Sequence, residues 1–168
     1  MKQRIMVIGC PGSGKSTLSN KLHNNLGIPL YHLDEIKWQN SNKTIDSETF
    51  EEILKNIIQL DEWIIDGNYN STLELRMKKA DIVIWLNYSR AICIFRAFKR
   101  FLQSFYRKSE GGNPKRVSWS FIKFVWNFKD NHDKRLLDLK DKYSNQNEWI
   151  ILKSKYDTKL FCDKLQES

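Results

Sequence analysis

Residues 9–16 read Gly-Cys-Pro-Gly-Ser-Gly-Lys-Ser. They fit the pattern G-x-x-x-x-G-K-[ST] in full. A chain of this length and average composition meets that pattern by chance about once in two hundred. The pattern constrains the fold because it works only between a strand running in and a helix leading out. Both flanks are present. "RIMVIG" is a short apolar run closed by glycine, which predicts a buried strand. From Lys15 to Leu26, Leu18, Leu22 and Leu26 recur at i, i+4 and i+8, and Gly27 and Pro29 supply the stop. In such a loop the glycines let the backbone curl until successive N–H groups point inward at anionic oxygens. The following helix adds the positive end of its dipole. Lys15 is placed to bridge the β- and γ-phosphates of a nucleoside triphosphate, and the Ser16 hydroxyl to ligate Mg²⁺. Gly9, Pro11, Gly12, Ser13, Gly14, Lys15, Ser16 and Thr17 are therefore the candidate nucleotide-binding residues, with ATP and Mg²⁺ as the expected cofactors. A glycine-rich turn ahead of a core helix would need neither the lysine nor the serine at those places.

The rest of the chain continues the alternation. "IPLYHLD" predicts a second strand. Residues 47–60 predict a helix with Phe50, Ile53, Leu54, Ile57 and Ile58 in one stripe. "EWIIDGN" predicts a third strand ending at Gly67. Ser71 and Glu74 form a capping-box pattern opening a helix to about Lys79. "ADIVIWLN" is a fourth strand, and a long helix follows from about Ser89 to Phe105. A polar Gly/Pro loop leads to a helical stretch from about Ser118 to Tyr143, with a break expected near Asp130. "EWIILKS" is a fifth strand. Ser154 and Asp157 cap a last helix ending near Gln166. Alternating strands and helices predict an α/β fold, a parallel sheet with helices on both faces joined by right-handed crossovers. Ligands in such folds sit at the carboxyl ends of strands. The 168 residues suggest one domain.

Two acids follow strands directly, Asp34 after "LYHL" and Asp66 after "WII". Either can hold the Mg²⁺ shell or accept the proton of an attacking hydroxyl. Asp66 is assigned to the metal, and Asp34 is shared between metal and base. The bland alternatives are a helix cap for Asp34 and a turn residue for Asp66. Cys10, Cys93 and Cys162 are widely spaced, without a CxxC or Cys/His cluster, which argues against zinc and for a reducing cytoplasm. No apolar run approaches the length of a membrane span. The formal charge is +8 and is concentrated. Between residues 90 and 116, Arg90, Arg96, Lys99, Arg100, Arg107, Lys108, Lys115 and Arg116 face the single acid Glu110. Such a segment implies a phosphate-rich partner, either nucleotide or nucleic acid. A guanine-specifying N-K-x-D motif is absent.

The stretches "VIGCPGSGKSTLSNKL", "YHLDEIKW", "WIIDGNYNSTLELRMKKAD" and "SFIKFVWNF" together resemble the DNA topology modulation proteins, adenylate-kinase-like P-loop proteins. The resemblance runs from residue 5 to about 130. It implies a three-layer P-loop fold with a five-stranded parallel sheet in the order 2-3-1-4-5 and an arginine-rich lid over about 104–118. It also implies two phosphate-contacting arginines on the helix after the fourth strand, matched here by Arg96 and Arg100. Arginine suits that work because its planar fork clamps phosphate oxygens. Arg107, Arg116 and Arg135 are weaker candidates. On the acceptor side, about 37–60, the chain departs from adenylate kinases. "LDEIKWQNSNK" stands where those enzymes carry a Thr-Gly pair, so an AMP acceptor is not implied, and Trp38 and Tyr69 line a pocket or merely pack at its rim. The aromatic stripes of 119–128 read as packing, and His23, His32 and His132 receive no role.

Two functions follow. One is a kinase moving the γ-phosphoryl group of ATP to a nucleotide or a small hydroxyl-bearing metabolite. The alternative is an ATP-binding protein that interacts with DNA and modulates its topology. No helix-turn-helix or other nucleic-acid reading motif is visible, which favours the first.

Overall fold

The computed structural model describes residues 3–40, 43–106 and 119–166. In chain order the elements are β1 (Arg4–Gly9), α1 (Lys15–Leu26), β2 (Leu30–His32), α2 (Leu33–Lys37), β3 (Trp38–Asn40), β4 (Lys43–Thr44), α3 (Ser47–Ile57), β5 (Trp63–Asp66), a 3₁₀ turn (Asn70–Thr72), α4 (Leu73–Met77), β6 (Ile82–Leu86), α5 (Arg90–Tyr106), α6 (Trp119–Lys142), β7 (Glu148–Leu152) and α7 (Lys155–Gln166). Five strands form one parallel sheet in the order β2-β5-β1-β6-β7. Counted within the sheet alone, that is the expected 2-3-1-4-5.

The period of two along the central strands explains the three layers. Met6 and Ile8 of β1, Trp63 and Ile65 of β5, and Val83 and Trp85 of β6 face one side. There they meet Phe50, Leu54 and Ile57 of α3, Leu73 and Met77 of α4, and Leu136 and Leu139 of α6. The intervening Ile5 and Val7, Ile64, Ile84 and Leu86 face the other side, against Leu18 and Leu22 of α1, Cys93 of α5 and Cys162 of α7. Strands buried on both faces read as continuous apolar runs, as these do. Each fully buried leucine or isoleucine contributes about 2 kcal/mol.

Several expectations need correction. Residues 38–44 carry a small antiparallel hairpin, β3 with β4, that the sequence reading missed. The helix after it stops at Ile57, because Gln59 and Leu60 donate to the carbonyls three residues back and tighten into a turn. The capping box at Ser71 does not form. The Glu74 carboxylate accepts instead from Lys142 Nζ (2.7 Å) at the end of α6 and from Tyr143 Oη (2.8 Å) just beyond it. The expected break near Asp130 is absent, and α6 is continuous. Trp126, expected to pack, is 54% exposed and lies under the Arg90 guanidinium at 5.8 Å. The Ser154/Asp157 box does form: the Ser154 Oγ accepts from the Asp157 N–H (3.1 Å), and an Asp157 oxygen accepts from the Ser154 N–H (3.0 Å). Most of the expected lid, 107–118 with Arg107 and Arg116, lies outside the described residues.

Candidate functional site

Strand register brings the candidate residues to one edge. His32 of β2 pairs with Asp66 of β5, and Asp66 pairs with Val7 of β1. The residues that follow this row, Leu33-Asp34, Gly67-Asn68 and Ile8-Gly9, therefore share the carboxyl edge of the sheet.

The loop between β1 and α1 is shaped by close approach. A Cβ on Gly9 would stand 2.6 Å from the Leu86 carbonyl oxygen on β6. Only glycine permits that contact. The loop is tightened by the Ser13 N–H donating to the Cys10 carbonyl (3.0 Å). Lys15 begins α1, and its ammonium turns back over the loop to donate to the carbonyls of Gly9 (2.9 Å) and Cys10 (3.4 Å). Burial lowers the Lys15 ammonium from its ordinary value, while Asp66 and Asp34 pull it back up. Ser16 and Thr17 are exposed in the first turn of α1. Arg96 of α5 reaches the same loop. Its Nη1 donates to the Ser13 carbonyl (3.0 Å), and its guanidinium lies 4.8 Å from the Tyr88 ring centre. Arg100 is one turn further along α5, and its side chain lies outside the described residues. Cys10 is no nucleophile. A hydrogen bond with Cys93 and burial both push its thiol far above the ordinary range.

The two carboxylates differ in environment. Asp66 is 4% exposed, and His32 Nδ1 stands 3.0 Å from its Oδ2 without hydrogen-bond geometry. A buried carboxylate oxygen left in that state suits a cation. Asp34 is exposed, inside α2 rather than capping it, and accepts a 2.9 Å hydrogen bond from the Tyr69 hydroxyl. Burial, the Asp34 charge and that bond together raise the Tyr69 phenol above its usual value, so it stays a donor. The Tyr69 ring packs against Phe50 of α3 in a tilted arrangement, with ring centres 5.0 Å apart. Among the described residues no cluster of three or more His, Cys, Asp or Glu could hold a metal unaided. The donor set fits a cation that takes most of its ligands from phosphate and water, with Ser16, Asp34 and Asp66 on the protein side.

The sequence reading missed three residues. Asn68 pairs with both main-chain groups of Gly9: its Oδ1 accepts from the N–H (3.1 Å) and its Nδ2 donates to the carbonyl (2.8 Å). Arg76 of α4 is wholly buried and donates to the carbonyls of Gly67 (2.9 Å), Asn68 (3.0 Å) and Tyr69 (3.3 Å). Burial lowers its guanidinium to about 9, with Asp66 opposing. His132 of α6 is buried, and that burial first, then the cations of Lys15, Arg76 and Arg135, lowers its imidazolium below the ordinary value. Arg135 itself is exposed on α6.

Solved structures share this architecture along the whole chain. A candidate kinase from Chloroflexus aurantiacus superposes with a TM-score of 0.59 at 16% identity, covering 99% of this chain and 98% of the other. The fold is that of the P-loop kinases. Deoxyadenosine kinase from M. mycoides, solved with its products dCMP and a flexible dCDP bound, superposes with a TM-score of 0.54 at 18% identity, covering 98% and 99%. At these identities the likeness establishes the fold. No family model and no curated protein sequence matches the chain. Among the described residues no helix is long and apolar enough to cross a membrane.

Proposed function

We propose that the chain is an ATP-dependent phosphotransferase that moves the γ-phosphoryl group to a hydroxyl of a nucleotide or small metabolite. The observation that carries this reading is the meeting, at one sheet edge, of the Gly9–Ser16 loop and Lys15 with the Asp34 and Asp66 carboxylates. The fold shared with kinases agrees with it.

In this reading the Gly9–Ser16 loop surrounds the phosphate chain with those main-chain N–H groups not already bonded within the protein, and Lys15 and Arg96 neutralise the charge that grows on it. Phosphoryl transfer is mostly positioning and charge compensation, so these parts suffice. Ser16, Asp34 and Asp66 would hold a Mg²⁺ ion on the protein side, and that ion would supply charge compensation for the phosphates. Asp34, exposed and oriented by Tyr69, takes the proton of the acceptor hydroxyl. The freed oxygen attacks the γ-phosphorus, the bond from that phosphorus to the β–γ bridging oxygen breaks, and ADP leaves. Arg100 is assigned to phosphate only by the family resemblance, which implies two arginines four residues apart on this helix. The three free cysteines suit a reducing, cytoplasmic setting. The finer kinship with DNA topology modulation proteins rests on the sequence stretches quoted above.

Mg·ATP is expected to raise the melting temperature, and Lys15→Ala to abolish that rise. ADP production followed over a panel of nucleosides, nucleoside monophosphates and small alcohols identifies the acceptor. A protein that binds no nucleoside triphosphate defeats the proposal. Turnover absent from the whole panel, with duplex-DNA affinity above that for other polyanions at physiological salt, supports the DNA-modulating alternative instead.

A further inference from the structure

We propose that Asn68, held in place by Arg76, is a positioning residue for Lys15 and acts through the main chain of Gly9. The inference rests on the reading of Lys15 as a phosphate ligand.

The Gly9 carbonyl has two lone pairs and two donors. Asn68 Nδ2 approaches at 2.8 Å and Lys15 Nζ at 2.9 Å. Because Asn68 Oδ1 also accepts from the Gly9 N–H, the planar amide grips Gly9 at both ends and fixes the direction of its carbonyl. That direction in turn fixes the ammonium. Two of the three Lys15 N–H bonds go to Gly9 and Cys10, which leaves the third for a ligand oxygen. Gly9 needs an external restraint of this kind. It sits at φ +151°, and Leu86 excludes a side chain there, so its own structure does little to hold it.

Asn68 must itself be held, since it lies in the loop after β5, 59 residues from Gly9. Arg76 provides the hold. Its guanidinium, buried beneath the loop, donates to the carbonyls of residues 67, 68 and 69 in succession. Three charge-assisted bonds onto consecutive peptides fix the path of the loop and so the origin of the Asn68 side chain. Of the residues in this chain of contacts, Lys15 would touch the ligand, Asn68 acts on Lys15 through Gly9, and Arg76 acts on Asn68.

The test uses the intact protein and two readouts. Lysine acetylation by limiting acetic anhydride, read by peptide mass spectrometry, reports how firmly Lys15 is held, with the exposed Lys78 as internal standard. Calorimetry with Mg·ATP reports affinity. Asn68→Ala is expected to speed Lys15 labelling severalfold relative to Lys78 and to weaken Mg·ATP binding about tenfold, as for loss of one good hydrogen bond. Asn68→Asp keeps the acceptor for the Gly9 N–H but cannot donate to the carbonyl, so it should also fail to restore affinity. It carries the test if the alanine variant does not fold. A merely structural Asn68 would lower the melting temperature yet leave the Lys15 labelling ratio unchanged, and that result overturns the proposal. So does Asn68→Asp binding Mg·ATP as tightly as the parent. If the parent protein binds no ATP, the phosphotransferase reading fails, while the labelling ratio still decides whether Asn68 positions Lys15.

Discussion

His132 offers a measurement of how the interior beside the phosphate loop is charged. It is buried on α6, and burial lowers it to about 4, with the cations of Lys15, Arg76 and Arg135 pushing the same way. A histidine in the unfolded chain titrates near 6.5. The folded value lies below the unfolded one, so the native protein excludes a proton that the unfolded chain accepts. The resulting stability is fully present above about pH 6.5 and is lost progressively as the pH falls toward 4. Summed over the two titrations, the loss between pH 7 and pH 5 is about 2 kcal/mol. That is a sizeable part of a typical domain stability of about 5–15 kcal/mol. The perturbation is His132→Gln, which keeps a polar side chain but cannot titrate. Urea unfolding of both proteins at pH 7 and pH 5 gives four free energies. The difference of differences cancels any constant cost of the substitution and every carboxylate common to both proteins. The parent should lose about 2 kcal/mol more than the variant. Equal losses would refute the reasoning, because they would mean that His132 is protonated alike in the folded and unfolded chains.

Two further substitutions probe the loop and the acceptor side. Gly9→Ala places a Cβ 2.6 Å from the Leu86 carbonyl and 2.9 Å from the Leu86 Cβ, and should cost about 3 kcal/mol in urea unfolding; a midpoint within error of the parent contradicts the packing described. Tyr69→Phe removes the donor to Asp34 and, under the proposed reading, should lower phosphoryl transfer about tenfold while leaving the calorimetric affinity for metal-free ATP unchanged; equal loss of both would place Tyr69 on the nucleotide instead.

The sheet was legible in the sequence because its central strands are buried on both faces and show as uninterrupted apolar runs between glycine and proline signals. The strand–loop–helix setting of residues 9–16 was legible because the G-x-x-x-x-G-K-[ST] pattern demands fixed residue types at fixed spacing between a strand and a helix. The β3–β4 hairpin was not, since "WQNSNKT" has neither alternation nor apolar content and its strands are only three and two residues long. The capping pattern at Ser71 misled for a tertiary reason: Glu74 finds Lys142 and Tyr143 at and just beyond the end of α6, partners 68 and 69 residues away that no local pattern reveals. Asn68, Arg76 and His132 escaped for the same kind of reason. A lone asparagine after a strand looks like a turn residue, and a lone arginine in a short helix looks like surface charge. A weak signal was available in "DGNY", where polar residues directly follow a buried strand at the edge that ligands use.

Arg76 is the residue whose burial most needs a reason. Removing a guanidinium from water costs several kcal/mol, and an apolar side chain of similar volume is often as stabilising at such a position. Its three acceptors are main-chain carbonyls of one short loop, so it contributes little to joining distant parts of the core. What it does achieve is to make residues 67–69 rigid without adding a helix or strand. That segment makes contacts in two directions. Asn68 reaches across to Gly9, and Tyr69 reaches to Asp34. A flexible loop could make either contact, but the distance between the two would then vary. Under the proposed phosphotransferase reading, donor and acceptor must be held in line within a few tenths of an ångström. A buried charge that fixes residues 67–69 serves that requirement, and an apolar side chain, which offers no donors to the three carbonyls, does not.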